Sequence, residues 1–317
     1  MRTAVCGVWH VHAGDYTGKA LEYGEVIGFY EPDDTLAEQF GKAFDIPRFG
    51  SFEELLVSDA EGVIVCSATS DHRDVMVKIA DAGKDIFTEK VLALTSEDCR
   101  AIQEAVKRNG VRFVISLPQK YNAAQKTVKA VAQSGELGRI NYFRYRNCHS
   151  GSTKNWLPAH FYNARQCGGG AMIDLGAHGM YLANWFLGMP VSASSTFTVS
   201  HDTALNTDGV EDNAVTVMAF SDGAIAVNET GFVSDYSPQV MEVFGENGYV
   251  KMTGKTVVKC TAKTEGKEIE VPLAEASDLP IVQFLTGSVL EGCGIEEAKV
   301  LTKMMEMAYA GSQRACC

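Results

Sequence analysis

The sequence holds no Cys-x-x-Cys pair, although it has nine cysteines. An odd and dispersed set without paired spacing fits neither a zinc ribbon nor a disulfide framework. Free thiols in a reducing compartment are expected, with Cys6 and Cys66 inside buried strands and Cys316-Cys317 exposed, without a prenylation-type context. No apolar stretch is long enough to span a bilayer. The start, Met1-Arg2-Thr3-Ala4-Val5-Cys6, carries no cleavable apolar leader. A cytoplasmic protein is the expectation. Basic residues are scarce: 28 Lys and Arg stand against 40 Asp and Glu, a net charge of -12. That disfavours nucleic acid and anionic membranes, which both need a basic face. No His-Glu-x-x-His and no Cys/His cluster has metal spacing, so no metal is expected. Repeats and low-complexity tracts are also missing.

What is present suits two domains: 317 residues, of which 46 % are hydrophobic, enough for sizeable cores. Short runs rich in Val, Ile and Phe at 3–8, 25–30, 62–66, 84–87 and 112–116 read as strands buried on both faces. Amphipathic helical stretches separate them, at 14–22, 35–44, 72–82 and 96–109. Repeated strand–helix–strand units predict a doubly wound parallel sheet, a dinucleotide-binding domain over 1–118. Beyond Leu117-Pro118 and a helix at 123–134 the pattern turns mostly to strands. Ser221-Asp222-Gly223 and Glu246-Asn247-Gly248 are hairpin turns. The expectation for 119–317 is an α/β domain with a large, open, mostly antiparallel sheet. Helices at 178–187, 278–290 and 296–310 would cover one of its faces.

The first strand–helix turn is where a phosphate-binding loop belongs, and it reads Gly7-Val8-Trp9-His10-Val11-His12. A Gly-x-Gly-x-x-Gly fingerprint lets backbone approach a pyrophosphate. Only Gly7 is in register; Trp9 and His12 take the places of the other two glycines, with His10 between them. The alternative is an ordinary turn with Trp9 packed in the core. Glu31 ends the second strand, where an acid accepts from the adenosine ribose hydroxyls and repels a 2′-phosphate, which favours NAD over NADP. After the third strand, Ser67, Ala68 and Thr69 suit a passage along a dinucleotide, and His72 could cap the next helix or line the cleft.

Together these residues resemble the Gfo/Idh/MocA family of NAD(P)-dependent sugar and cyclitol oxidoreductases, along essentially the whole chain. Glu89-Lys90 stands at the family's Glu-Lys-Pro motif, and Ser134-Gly135-Glu136-Leu137-Gly138 at its Ser-Gly-x-Ile/Leu-Gly turn. Gly168-Gly169-Gly170 with Asp174, Gly176 and His178 matches its glycine-run segment, and Phe244-Gly245-Glu246-Asn247-Gly248 its later hairpin. The resemblance implies a Rossmann domain plus a second domain whose open sheet makes a homodimer or homotetramer. It also implies that Lys90, Asp174 and His178 surround the nicotinamide and the reacting carbinol. Val91 replaces the family's proline; a cis bond without proline costs about 2.5–4 kcal/mol, so the sequence leaves that peptide open.

Oxidising a secondary alcohol needs a base at the hydroxyl and a carbon held over the nicotinamide. His178 is the first choice by intrinsic pKa. Lys90 would then stabilise the alkoxide and Asp174, four residues before His178, would position it; exchange of the Lys90 and His178 roles stays open. Trp156, His160 and Arg165 offer an aromatic face and donors for a sugar or polyol ring. Lys120 and Tyr121 stand where the family has an Arg-aromatic pair. Two other functions fit the same resemblance: a glycosidase using transient oxidation by NAD, and a non-catalytic NAD- or sugar-sensing regulator.

Overall fold

A computed structural model describes residues 1–288 and 291–314, so Cys316 and Cys317 lie outside the described residues. Its contacts form two compact units. One is Met1–Leu117 with Asp278–Thr302; the other is Pro118–Ser277 with the residues from Lys303 onward.

The first unit runs β1 (Arg2–Cys6), α1 (Ala13–Tyr23), β2 (Glu25–Tyr30), α2 (Asp34–Phe44), α3 (Phe52–Val57), β3 (Gly62–Val65), α4 (His72–Asp81), β4 (Asp85–Thr88), α5 (Ser96–Asn109) and β5 (Phe113–Ile115). Its sheet has the order β2-β1-β3-β4-β5, and every pairing is parallel. Every residue of β3 is buried, as a strand covered on both faces requires. Capping follows the sequence signals. Thr95 accepts from the Asp98 N–H at the start of α5, acids fill its first turn, bases its last, and Gly110 ends it at φ 65°. The short α3 was not anticipated; Ser51 caps it by accepting from the Glu54 N–H.

The second unit contains α6 (Ala123–Gln133), β6 (Ile140–Cys148), α7 (Ala164–Cys167), a π-helical turn (Met172–Gly176) and α8 (Ala177–Leu187). The strands β7 (Ser192–Thr198), β8 (Asn213–Ala219), β9 (Ile225–Gly231), β10 (Val240–Gly245), β11 (Gly248–Thr253), β12 (Thr256–Thr261) and β13 (Ile269–Glu270) follow. With β6 and β14 (Ser312–Arg314) they form a nine-stranded sheet in the order β13-β12-β11-β10-β6-β9-β8-β7-β14. It is antiparallel except at β6–β9 and β7–β14. Gly245 pairs with Gly248, so the hairpin loop is only Glu246-Asn247. The core lies where Phe143 and Tyr145 of β6, Met218 of β8 and Met241 of β10 are buried and where α8 packs on β6. The opposite face carries Arg144 bonded to Glu229 (2.6 Å) and Glu242 (3.0 Å), and half-exposed Val215 and Val217.

The chain closes with α9 (Pro280–Thr286), α10 (Ile295–Ala310) and β14. The expectation that a helix at 278–290 covers the large sheet does not hold. Helix α9 packs on α1 and β5 of the parallel-sheet unit, with Phe284 against Phe87 at 5.8 Å between centroids and Arg112 over its ring at 5.1 Å. The segment's apolar face reads the same against either sheet; the return of the chain decides. Among the described residues no disulfide links any two cysteines, and no helix is long and apolar enough to cross a membrane. Burial pushes the Cys6 and Cys66 thiols well up.

Candidate active site

In the parallel-sheet unit the candidate residues gather at the C-terminal strand ends, where α/β sheets bind ligands. Gly7 follows β1 at φ 77°, and a Cβ there would stand 2.6 Å from the backbone of Ser67. Only glycine allows the loop after β3 to come so close. The loop is pinned further by the His10 N–H to Cys66 O bond, 3.0 Å. Glu31 is 4 % exposed. Its carboxylate accepts from the Val8 N–H (2.8 Å) and the Asp33 N–H (3.0 Å), which joins the β1 loop to the end of β2. Arg48, which the sequence did not point to, donates to Glu31 O (2.7 Å) and pairs with Asp34 (2.8 Å). Trp9 is half-buried rather than packed in the core. Ala68 is buried and Thr69 half-buried. The Ser67 hydroxyl is buried without a hydrogen-bond partner among the described residues. His72 is 1 % exposed, with Nδ1 2.9 Å from Leu92 O and Nε2 3.2 Å from Ser67 O. It begins α4 and ties two loops; burial holds its pKa down, against those carbonyl bonds.

Glu89 is the hub of this end. It is 3 % exposed, accepts from the Lys90 N–H (2.9 Å) and the Tyr16 hydroxyl, and lies 2.8 Å from His12 Nδ1. Tyr16 also meets the Ser116 hydroxyl at 2.8 Å. Burial alone would raise the Glu89 carboxyl, but the His10 charge, the His12 bond and charge, and the Lys90 charge hold it well below the usual carboxylate range. Burial, then Glu89, pushes the Tyr16 phenol well up, so the shared proton stays on tyrosine. Lys90 is 6 % exposed, and the Lys90–Val91 peptide is cis.

In the second unit His178 is 8 % exposed in the first turn of α8. Its Nδ1 lies 2.9 Å from Tyr181 Oη, which accepts from the Gln119 N–H at 3.0 Å. Lys120 sits over the Tyr181 ring at 5.8 Å. Tyr181 therefore connects His178 to the turn that carries Lys120 and Tyr121, both buried. Sequence reading passed over it, though it stands three residues after His178 on the same helix face. Asp174 is half-buried in the π-helical turn. That turn runs directly into α8, which carries His178 four residues later.

Glu211 is a second residue the sequence did not flag. It is 2 % exposed, and its Oε1 accepts from the Gly170 N–H (2.9 Å), the Met172 N–H (3.1 Å) and the Tyr309 hydroxyl (2.7 Å). Gly170 is obligatory, since a Cβ would meet Glu211 O at 2.1 Å. Glu211 thus clamps the glycine run that leads into Asp174 and His178. Of the substrate-side candidates, His160 lines a recess of about 340 Å³ with Tyr162, Asn163 and Asp208. Trp156 is half-exposed and packs on His149 at 4.6 Å between ring centroids. Arg165 is exposed on α7. Neither is among the residues lining the recess.

A doubly wound parallel sheet with its candidate residues at the strand ends, on one chain with a large mixed sheet, is the architecture of a nucleotide-binding domain joined to a second α/β domain. Residues 1–117 match the family model described as "Oxidoreductase family, NAD-binding Rossmann fold". Residues 125–251 match the "GFO/IDH/MocA C-terminal domain". The chain belongs to the Gfo/Idh/MocA oxidoreductase family. It is 29 % identical over 222 residues to scyllo-inositol 2-dehydrogenase (NAD(+)) of Bacillus subtilis, a match covering 68 % of this chain and 62 % of that one. It is 27 % identical to the 1,5-anhydro-D-fructose reductase of Ensifer adhaerens, over 77 % of this chain and 74 % of the relative. In fold it is similar to the aldose-aldose oxidoreductase of Caulobacter crescentus, solved with glycerol (TM-score 0.81, 19 % identity, 98 % and 97 % covered). The WlbA dehydrogenase of Bordetella pertussis, solved with NADH and UDP-GlcNAcA, is similar too (TM-score 0.77, 18 % identity, 98 % and 95 % covered).

Proposed function

We propose that the chain transfers a hydride between a nicotinamide cofactor and a secondary alcohol or ketone of a sugar, sugar derivative or cyclitol. One observation carries the reading: Gly7, Glu31, Ser67 and Glu89 converge at the C-terminal ends of one parallel sheet, with Lys90 next in the chain. The residues fit a dinucleotide. The Gly7 turn brings backbone against Ser67, the Ser67 hydroxyl lacks a partner among the described residues, and no side chain caps the first turn of α1. A helix start of that kind suits phosphate oxygens. Gly7, Trp9, His10 and His12 would form the phosphate side. Ser67, Ala68 and Thr69 would follow the cofactor, with His72 holding their loop, and Glu89 and Lys90 would stand at its reactive end. The relatives described above carry dehydrogenase and reductase names, which supports this reading over the glycosidase and the regulator.

When bound, the nicotinamide supplies the hydride acceptor. The chain's own part is proton handling and placement. His178 takes the carbinol proton, its ring oriented by Tyr181 at Nδ1. Lys90 stabilises the developing alkoxide, and Asp174 positions the reacting hydroxyl. Lys120, Tyr121, Trp156, His160 and Arg165 are the proposed substrate contacts. NAD is favoured over NADP because Glu31 places a carboxylate at the end of β2, and the nearby Arg48 is already paired with Asp34. Half-exposed Val215 and Val217 on the outer sheet face support a homodimer or homotetramer through that sheet. The test is a panel of sugars and polyols followed at the NADH absorbance with each cofactor. Turnover with NAD is expected. Failure of both cofactors to bind by calorimetry would remove the enzyme reading.

A further inference from the structure

The loop that takes the place of a glycine-rich fingerprint brings two imidazoles to a buried carboxylate. His10, His12 and Glu89 each offer a ligand atom, and these atoms lie within 4.8 Å of one another. We propose that His10, His12 and Glu89 form a binding site for one divalent transition-metal ion of the Zn²⁺ class. Two imidazoles and one carboxylate are the donor set of open zinc sites, which keep a position for water or substrate. Nitrogen-rich donors favour zinc, cobalt, nickel or iron over magnesium and calcium, which prefer all-oxygen shells.

The surroundings support an ion. Glu89 is 3 % exposed and His10 7 %, so a dication there would meet a carboxylate shielded from water. The Lys90 N–H and the Tyr16 hydroxyl bond to Glu89 and hold its rotamer, the role outer-shell partners play at metal centres. Bonds of about 2.0–2.2 Å to nitrogen and oxygen require the widest pair of donors to close up. The His12 side chain, 46 % exposed and 2.8 Å from Glu89, has room to move in that adjustment. Local spacing could not reveal the site, since Glu89 lies 77 residues beyond His12.

The test reads metal binding directly, so it can fail while the dehydrogenase reading stands, and the reverse. Chelator-treated full-length protein is titrated with Zn²⁺ by calorimetry and with Co²⁺ by absorption. One tight equivalent is expected, without the intense thiolate-to-cobalt band that a cysteine site would give. His10→Ala and His12→Ala should each weaken binding at least about tenfold, since even outer-shell losses cost 10–100-fold. His201→Ala should leave it unchanged. X-ray absorption on the zinc-loaded wild type needs no variant and should find nitrogen and oxygen neighbours alone. Sulfur in that shell, no tight equivalent in the wild type, or an unaltered site in the His10→Ala/His12→Ala double variant overturns the proposal.

Discussion

Tyr181 Oη lies 2.9 Å from Nδ1 of His178 and accepts from the Gln119 N–H. One phenol thus orients the proposed acid/base and anchors it to the turn at the start of the second unit. Tyr181→Phe deletes both bonds while keeping the ring. Turnover should fall about tenfold, equivalent to ~1.4 kcal/mol, with cofactor affinity unchanged and the pH profile of kcat displaced. An unaltered kcat and pH profile would show that Tyr181 only packs.

Lys90→Met and His178→Ala separate binding from chemistry. Both variants should keep the wild-type affinity for NAD by calorimetry. Turnover should drop by at least about a hundredfold in each, the lower end of what a positioned acid or base contributes. Wild-type rates in both would dismiss the catalytic assignment.

Glu211→Ala removes the acceptor for two backbone N–H groups and the Tyr309 hydroxyl. A buried group left unpaired costs about 1–3 kcal/mol, so urea unfolding should show a loss of at least that size. Glu211→Gln keeps an acceptor oxygen and should recover part of it. Equal stability of all three proteins is the outcome that contradicts the clamp.

His72 makes stability depend on pH. Burial depresses its folded-state pKa, so its contribution is fully present above the unfolded value near 6.5 and is lost as pH falls below it. The slope is bounded by about 1.4 kcal/mol per pH unit for one proton. Urea midpoints from pH 7.5 down to 5.5 should fall for the wild type and much less for His72→Asn. Parallel slopes for the two proteins would count against burial of a neutral ring.

Much of the framework was legible because its signals are local. Strand β2 at Glu25–Tyr30 and helix α5 at Ser96–Asn109 have apolar runs, caps and charges that agree with one another. Strand β11 at Gly248–Thr253, implied only as the far arm of the hairpin at 246–248, and strand β14 at Ser312–Arg314, which no local pattern marks, exist through their partners. The first is completed by pairing with β10 and β12, and the second by a parallel match to β7. Likewise Tyr181 and Glu211 carry no motif; their neighbours alone make them informative.

The sequence by itself determined the succession of elements, the family resemblance and the candidates Lys90, Asp174 and His178, because residue order and spacing carry those. Only the tertiary structure decided that helix α9 packs with the parallel-sheet unit, that Lys90–Val91 is cis, and that a π-helical turn precedes His178. It alone gathered His10, His12 and Glu89. The reason is physical. Hydrogen bonds and ligand sites depend on distances of a few ångströms between residues far apart in the chain, and no local pattern encodes those distances.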